Sequence, residues 1–308
     1  MLIESPSTPP SVAFVGMGSM GRPMAIRLID AGFTVHVVDR RAAQPPPRGA
    51  VVHPTLAGAL GAVQAAITML PDDAAVRDVA GGRDGILRNL ASGGLWIDAS
   101  TVSPSVIASL AMAAAESGID VVDAPVSGGV EAAESGTLSA MVGGSGEAVA
   151  RARLILDTLA AAVTHFGPVG SGQTAKAVNQ VIVGGTVALV AEGLNLAKMA
   201  GLDQVQVREA LRAGFAGSRV LEVQGQRILD RDFRPRFKAR LQLKDLDISL
   251  ALAAQVGAAV PLTDTTARLY RSLMQGDDEE IDQSAIILAF EAGSEGSSLT
   301  VLDGRIVE

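Results

Sequence analysis

Three polar side chains stand close together in a stretch that is otherwise apolar: Lys176, Asn179 and Gln180, within GPVGSGQTAKAVNQVIVGGTVALVAEGLNLAKMAG at 167–201. On a helix the spacing i, i+3, i+4 puts them on one face, so they can converge on a single small ligand. A partly desolvated lysine in that position can give up and take back a proton, because burial disfavours its charged form. The alternative involves no chemistry: Lys176 reaches water along its alkyl stem, and the amides bond a neighbouring helix.

Two other groups have spacings that bind rather than react. Gly16-Met17-Gly18-Ser19-Met20-Gly21 follows the apolar run Ser11 to Val15 and precedes a helical pattern through Arg27, Leu28 and Ile29 to Gly32. Strand, glycine turn and helix N-terminus in that order form a seat for a dinucleotide pyrophosphate, met by free N–H groups. A second strand, Phe33 to Val38, delivers Asp39 18 residues beyond Gly21, where an acid accepts from the adenosine ribose hydroxyls and favours NAD. Arg40 and Arg41 either pair with the extra phosphate of NADP or are ordinary solvated charges. The turn Ser127-Gly128-Gly129 can offer a hydroxyl and two backbone N–H groups to a carboxylate, or it is simply a flexible turn.

These groups need elements to hold them. The 35-residue stretch around Lys176 has no proline beyond Pro168 and has apolar residues on every side, which predicts a long helix buried all round and stopped at Gly201. Further apolar runs at Ala65 to Leu70, Leu95 to Ile97 and Ile119 to Val122 alternate with helical segments, which predicts a βαβ order through them, and Leu138 to Val142 and Val163 to Phe166 read as two more strands separated by a helix from Gly146 to about Ala161. Their carboxyl-end loops are the expected ligand side. From Gly172 onward only helices are expected: 203–215, 218–229, 238–256, 262–275 and 282–291 after the long one. The expected domains are 1–168 and 169–308, with a polar tail at the end.

With 308 residues, 48% hydrophobic and 19% charged, the chain can bury two cores. A net charge of −8 argues against nucleic acid and anionic membranes as partners. Without cysteine there are no disulfides and no thiolate chemistry, which suits a reducing, cytoplasmic setting. His36, His53 and His165 are not at ligand spacing to one another, so no metal is expected. The first ten residues lack the charge and apolar core of a signal peptide. The Lys, Asn, Gln and Glu of the long helix favour a buried core helix over a membrane span.

The segments VAFVGMGSMGRPMAIRLIDAG, DASTVSP, DAPVSGGVEAAESGTLSAMVGG, GSGQTAKAVNQ and FKARLQLKDLDISLA, in this order and spacing, closely resemble the β-hydroxyacid dehydrogenase family. The resemblance runs from about residue 11 to about 291, and five motifs in register are far more specific than one. It implies an α/β Rossmann-type N-terminal domain and an all-α C-terminal domain joined by a long interdomain helix. The implied activity is hydride transfer between a nicotinamide cofactor, NAD or NADP, and a short 3-hydroxy acid or its semialdehyde, in the manner of 3-hydroxyisobutyrate dehydrogenase or 2-hydroxy-3-oxopropionate reductase. Lys176 then stands at the family's catalytic lysine and Ser127, Gly128 and Gly129 at its carboxylate loop. Cofactor contacts are expected from the glycine turn, Leu70, Pro71, Thr101 and Lys244. The amide one turn after the lysine, often Asn in relatives, is Gln180, preceded by Asn179. A homodimer or homotetramer through the helical domain is also implied. Imine reductases share the architecture but tend to carry Asp or Tyr in place of Lys176. A non-catalytic dinucleotide-binding branch would lack the lysine or carry a basic extension.

Overall fold

The computed structural model describes residues 11–38, 45–274, 280–294, 300–302 and 305–307. They fall into two compact units, Met1–Lys176 and Ala177–Glu308.

The first unit alternates strands and helices: β1 (Val12–Val15), α1 (Gly21–Asp30), β2 (Val35–Val38), β3 (Val51–Val52), α2 (Leu56–Leu60), β4 (Ala65–Thr68), α3 (Asp73–Gly81), α4 (Ile86–Asn89), β5 (Leu95–Asp98) and α5 (Pro104–Glu116). It continues with β6 (Asp120–Asp123), β7 (Val126–Ser127), α6 (Gly129–Ser135), β8 (Leu138–Gly143), α7 (Gly146–Leu159), β9 (Ala160–Gly167) and the start of α8 (Ser171–Met199). The sheet order β3-β2-β1-β4-β5-β6-β8-β7, with β9 on β8, begins as a doubly wound sheet. Strand alternation sends Val12 and Phe14 of β1 into one apolar layer and Ala13 and Val15 into the other, so both faces are covered. The central strands are apolar on both faces for that reason.

Beyond β6 the parallel order is interrupted. β7 and β8 pair antiparallel, Val126 with Ala140 and Ser127 with Ser139, and β6 meets β8 antiparallel at Asp123 and Gly143. Between β7 and β8 the chain reverses through α6, which is too short a connection for a parallel crossover. β9 then returns parallel to β8.

The second unit holds the rest of α8, then α9 (Gln204–Arg212), α10 (Arg219–Leu229), α11 (Ala239–Val256), α12 (Pro261–Leu273), a 3-10 turn at Gln283–Ile286 and α13 (Ile287–Ser294). Val187, Ala188, Ala191 and Leu194 of α8 pack with Ile228, Leu246, Ala267 and Tyr270 into its core. The tail is not wholly helix or coil: β10 (Thr300–Leu302) pairs antiparallel with β11 (Arg305–Val307). Nor is α8 buried all round. Val178, Ile182, Leu189, Leu196 and Met199 are each more than half exposed, at spacings of four, seven, seven and three, which form one continuous apolar stripe.

Candidate active site

The glycine turn sits at the carboxyl end of β1, beside that of β4, where the sheet order reverses direction. Gly16 has φ +103°, and a Cβ there would lie 2.2 Å from the Met69 carbonyl oxygen; one at Gly21 would lie 1.9 Å from the Gly16 carbonyl oxygen. Only glycine fits either place. At Gly18, by contrast, an added Cβ meets nothing within 4 Å, so the middle glycine faces open space. Ser19 is exposed there, while Met17 and Met20 lean on the core. The first turn of α1 has neither a side-chain cap nor an acidic residue, so the positive end of its dipole is not neutralised by the chain, although the Arg22 N–H is taken by the Gly18 carbonyl at 3.0 Å. A closed turn at both ends, an open middle and an uncapped helix fit a dinucleotide pyrophosphate.

The neighbouring loops are tied together by a buried polar network. Asp98, at the end of β5, accepts at Oδ1 from Thr68 Oγ1 (2.7 Å) and Ser100 Oγ (2.6 Å), while Ser100 Oγ accepts from the Leu70 N–H (2.9 Å). Trp96 Nε1 donates to Thr68 Oγ1 at 2.9 Å. In this way Leu70, next to Pro71, and Thr101, next to Ser100, take their positions from one carboxylate. Burial pushes Asp98 up to about 6, against the hydrogen bonds from Ser100 and Thr68 and with a small upward push from Asp123.

A pH dependence follows from that rise. Because the folded-state value lies above the unfolded one, the contribution of Asp98 is full below the unfolded value and is lost as pH rises through about 6. A rise of about two units amounts to roughly 3 kcal/mol. Asp98→Asn cannot ionise, so in urea unfolding its loss of stability between about pH 4 and pH 8 is expected to be smaller than the wild type's by most of that amount. The Oδ2 of Asp98 has no protein partner among the described residues, and an Asn amide there would be unpaired equally at every pH. The comparison across pH is therefore the clean readout.

Ser127 ends β7, and Gly128 and Gly129 follow with φ +138° and +75°. Two successive positive φ values suit only glycine. A Cβ at Gly128 would lie 2.6 Å from Ala132 Cβ, whereas Gly129 is open. Lys176 lies in the second turn of α8 with 6% of its surface exposed. An amine so enclosed has a large desolvation cost when charged.

In the second unit Asn179 Nδ2 donates to Gln180 Oε1 (2.7 Å), and Gln180 Nε2 donates to Asp245 Oδ2 (2.6 Å). Gln180 is buried, and its amide is oriented by this chain rather than left free to turn. Lys244 forms an ion pair with Asp245 at 2.9 Å. Asp39 and Arg40 lie outside the described residues.

Sequence reading left three residues out of the site: Asp98, Asp123 and Gln173, all buried. The available signal was an acid closing each of two apolar strands and an amide at the opening of an apolar helix. It also kept the histidines apart. His36 on β2 and His53 after β3 meet at 2.8 Å, because β3 pairs with β2 in a register that sets His36 opposite Val51. Burial, then the neighbouring His53, lowers the His36 pKa. Among the described residues no group of three or more His, Cys, Asp or Glu is placed to hold a metal.

The chain matches two family models, one described as the NAD binding domain of 6-phosphogluconate dehydrogenase over residues 11–167, the other as the NAD-binding domain of NADP-dependent 3-hydroxyisobutyrate dehydrogenase over residues 170–290. It is 38% identical to 2-hydroxy-3-oxopropionate reductase of Escherichia coli, covering 91% of this chain and 97% of that one. It is 37% identical to 3-hydroxyisobutyrate dehydrogenase of Pseudomonas aeruginosa, covering 89% and 96%. A solved structure of Mycobacterium tuberculosis 3-hydroxyisobutyrate dehydrogenase with L-serine superposes with a TM-score of 0.80 at 30% identity, covering 92% of this chain and 99% of that one. With a dinucleotide cradle that only glycines can close and kinship across nine-tenths of its length, the chain belongs to the β-hydroxyacid dehydrogenase family, NAD(P)-dependent oxidoreductases acting on CH-OH groups.

Proposed function

We propose that the chain interconverts a short 3-hydroxy acid and its semialdehyde, of the 3-hydroxyisobutyrate or 2-hydroxy-3-oxopropionate kind, with Lys176 as the acid and base. The observation that carries this reading is the burial of Lys176, since a lysine kept at 6% exposure calls for a function that repays its desolvation. The bound nicotinamide supplies or accepts the hydride. The remaining work belongs to the chain. Lys176 Nζ takes the hydroxyl proton in oxidation and returns it to the carbonyl oxygen in reduction, a contribution of ~10² to 10⁴ in rate. The Ser127 hydroxyl and the Gly128 and Gly129 N–H groups hold the substrate carboxylate, and Asn179 and Gln180 bind a substrate oxygen.

These roles separate kinetically. Ser127→Ala removes one charge-assisted hydrogen bond of about 1.5 kcal/mol, so KM is expected to rise about ten-fold with kcat little changed. The reading itself is tested by initial rates with NAD⁺ and NADP⁺ against short 3-hydroxy acids and L-serine, and with NADH and NADPH against tartronate semialdehyde. Turnover of a 3-hydroxy acid or semialdehyde is the expected result. Reduction of cyclic imines with no turnover of any hydroxy acid would replace it with the imine reductase reading. An NAD preference is proposed from Asp39, with Arg40 the residue that would reverse it.

A homodimer or homotetramer is proposed through α8, whose exposed stripe is longer than isolated apolar residues on a monomer surface would explain. Sedimentation is expected to show an assembly at micromolar concentration; a stable, active monomer would contradict it. The proposed setting is the cytoplasm.

A further inference from the structure

Two N–H groups at the opening of α8 are met from far along the chain. The Gly170 N–H donates to Asp123 Oδ1 and the Gln173 N–H to Asp123 Oδ2, both at 2.8 Å. A helix start is ordinarily served by a Ser, Thr, Asn or Asp immediately before it. Here the carboxylate comes from the end of β6, 47 residues upstream of Gly170, and is fully buried. Gln173 makes a second attachment. Its Nε2 donates to the Ser100 carbonyl (2.8 Å), and its Oε1 accepts from the Val102 N–H (3.1 Å), so one side chain holds both neighbours of Thr101.

Close packing leaves this joint no slack. A Cβ at Gly172 would lie 2.3 Å from the Met141 carbonyl oxygen, and one at Gly143 would lie 2.4 Å from Asp123 Oδ1 and 2.9 Å from the Gly172 nitrogen. Asp123 is also the first residue of the segment that leads to Ser127, Gly128 and Gly129. Lys176 follows Gln173 by three residues, one helical turn.

We propose that Asp123 and Gln173 are positioning residues that act through Lys176, fixing the first turn of α8 against both the Thr101 loop and the carboxylate loop. The proposal rests on the reading of Lys176 as the acid and base. Misplacing a reacting group by about 1 Å costs on the order of 10²-fold, so a joint of this kind acts on kcat rather than on binding. Gln173 serves better as the probe, because its side chain can be replaced without leaving a buried charge unpaired.

The test is a double-mutant cycle on kcat with the 3-hydroxy acid that turns over fastest, alongside the Kd of NADH and the Tm of each variant. Gln173→Met, which keeps volume but loses both bonds, is expected to lower kcat by ~10- to 100-fold with KM and the NADH Kd within about three-fold. Gln173→Asn, which keeps an amide but is too short to span both partners, is expected to fall in between. In a Lys176→Met background Gln173→Met is expected to lower the residual rate by less than about two-fold, because the group it positions is gone. Gln173→Asn, carried through the same cycle, serves if Gln173→Met does not fold. Effects that multiply independently in the two backgrounds, or a fall in kcat matched by lost cofactor binding, would overturn the positioning role. Near-normal kcat in Lys176→Met alone would instead overturn the acid and base reading on which it rests.

Discussion

Lys176→Met is expected to lower kcat by at least ~10²-fold while NADH still binds with nearly unchanged Kd. Methionine preserves most of the length and the apolar stem, so the packing of α8 is kept and only the proton-carrying amine is lost. The Tm of the variant reports separately what loss of the amine costs the fold. The combination is what identifies the role. If Lys176 merely reached toward water with its stem packed, the same substitution would leave kcat near normal. Steady-state kinetics, an NADH titration and a thermal melt on the one variant separate these outcomes.

Gly16→Ala is expected to damage the cofactor cradle severely. Its φ of +103° is strained for any residue with a Cβ, and the added carbon would sit 2.2 Å from the Met69 carbonyl oxygen, a backbone atom that cannot swing aside. The turn between β1 and α1 must then shift against the end of β4, at a cost of about 2–4 kcal/mol of stability and at least ~100-fold in NADH affinity. Gly18→Ala is the informative control. Its Cβ meets nothing within 4 Å in the protein, so stability should change by less than about 1 kcal/mol while the space needed by the pyrophosphate is filled. Urea unfolding with fluorescence titration of NADH measures both quantities. A Gly16→Ala protein that binds NADH like the wild type would contradict the assignment of this turn.

How much of this was legible depends on the range of the interactions. β1, β4, β5 and β6 could be read because each is a short run buried on both faces, and the glycine turn because strand, turn and helix are contiguous. β3 and β7 are two residues long, too short for any periodicity, and the antiparallel sense of β8 is a matter of chain return that local pattern does not encode. The helices of the second unit were found at nearly their observed places because Gly and Pro punctuate them.

In the candidate site, Lys176, Ser127 and the glycines could be picked out because they sit in motifs that stand in register with one another, whereas Asp98, Asp123 and Gln173 could not, since their partners are as far as 73 residues away in sequence. His36 and His53 became neighbours only through strand register. The exposed stripe of α8 was hidden for a different reason: apolar residues on all sides of a helix describe burial within one chain and burial against another equally well.

The central claim is that a proton at Lys176 moves with the hydride between nicotinamide and a short 3-hydroxy acid. Single-turnover formation of reduced nicotinamide, followed by its absorbance across pH in wild type and Lys176→Met, tests it most directly. The account predicts a wild-type rate that rises with pH through one ionisation in the oxidation direction, and a variant at least ~10²-fold slower and without that ionisation. A Lys176→Met rate within about three-fold of wild type, with the same pH profile, would contradict it.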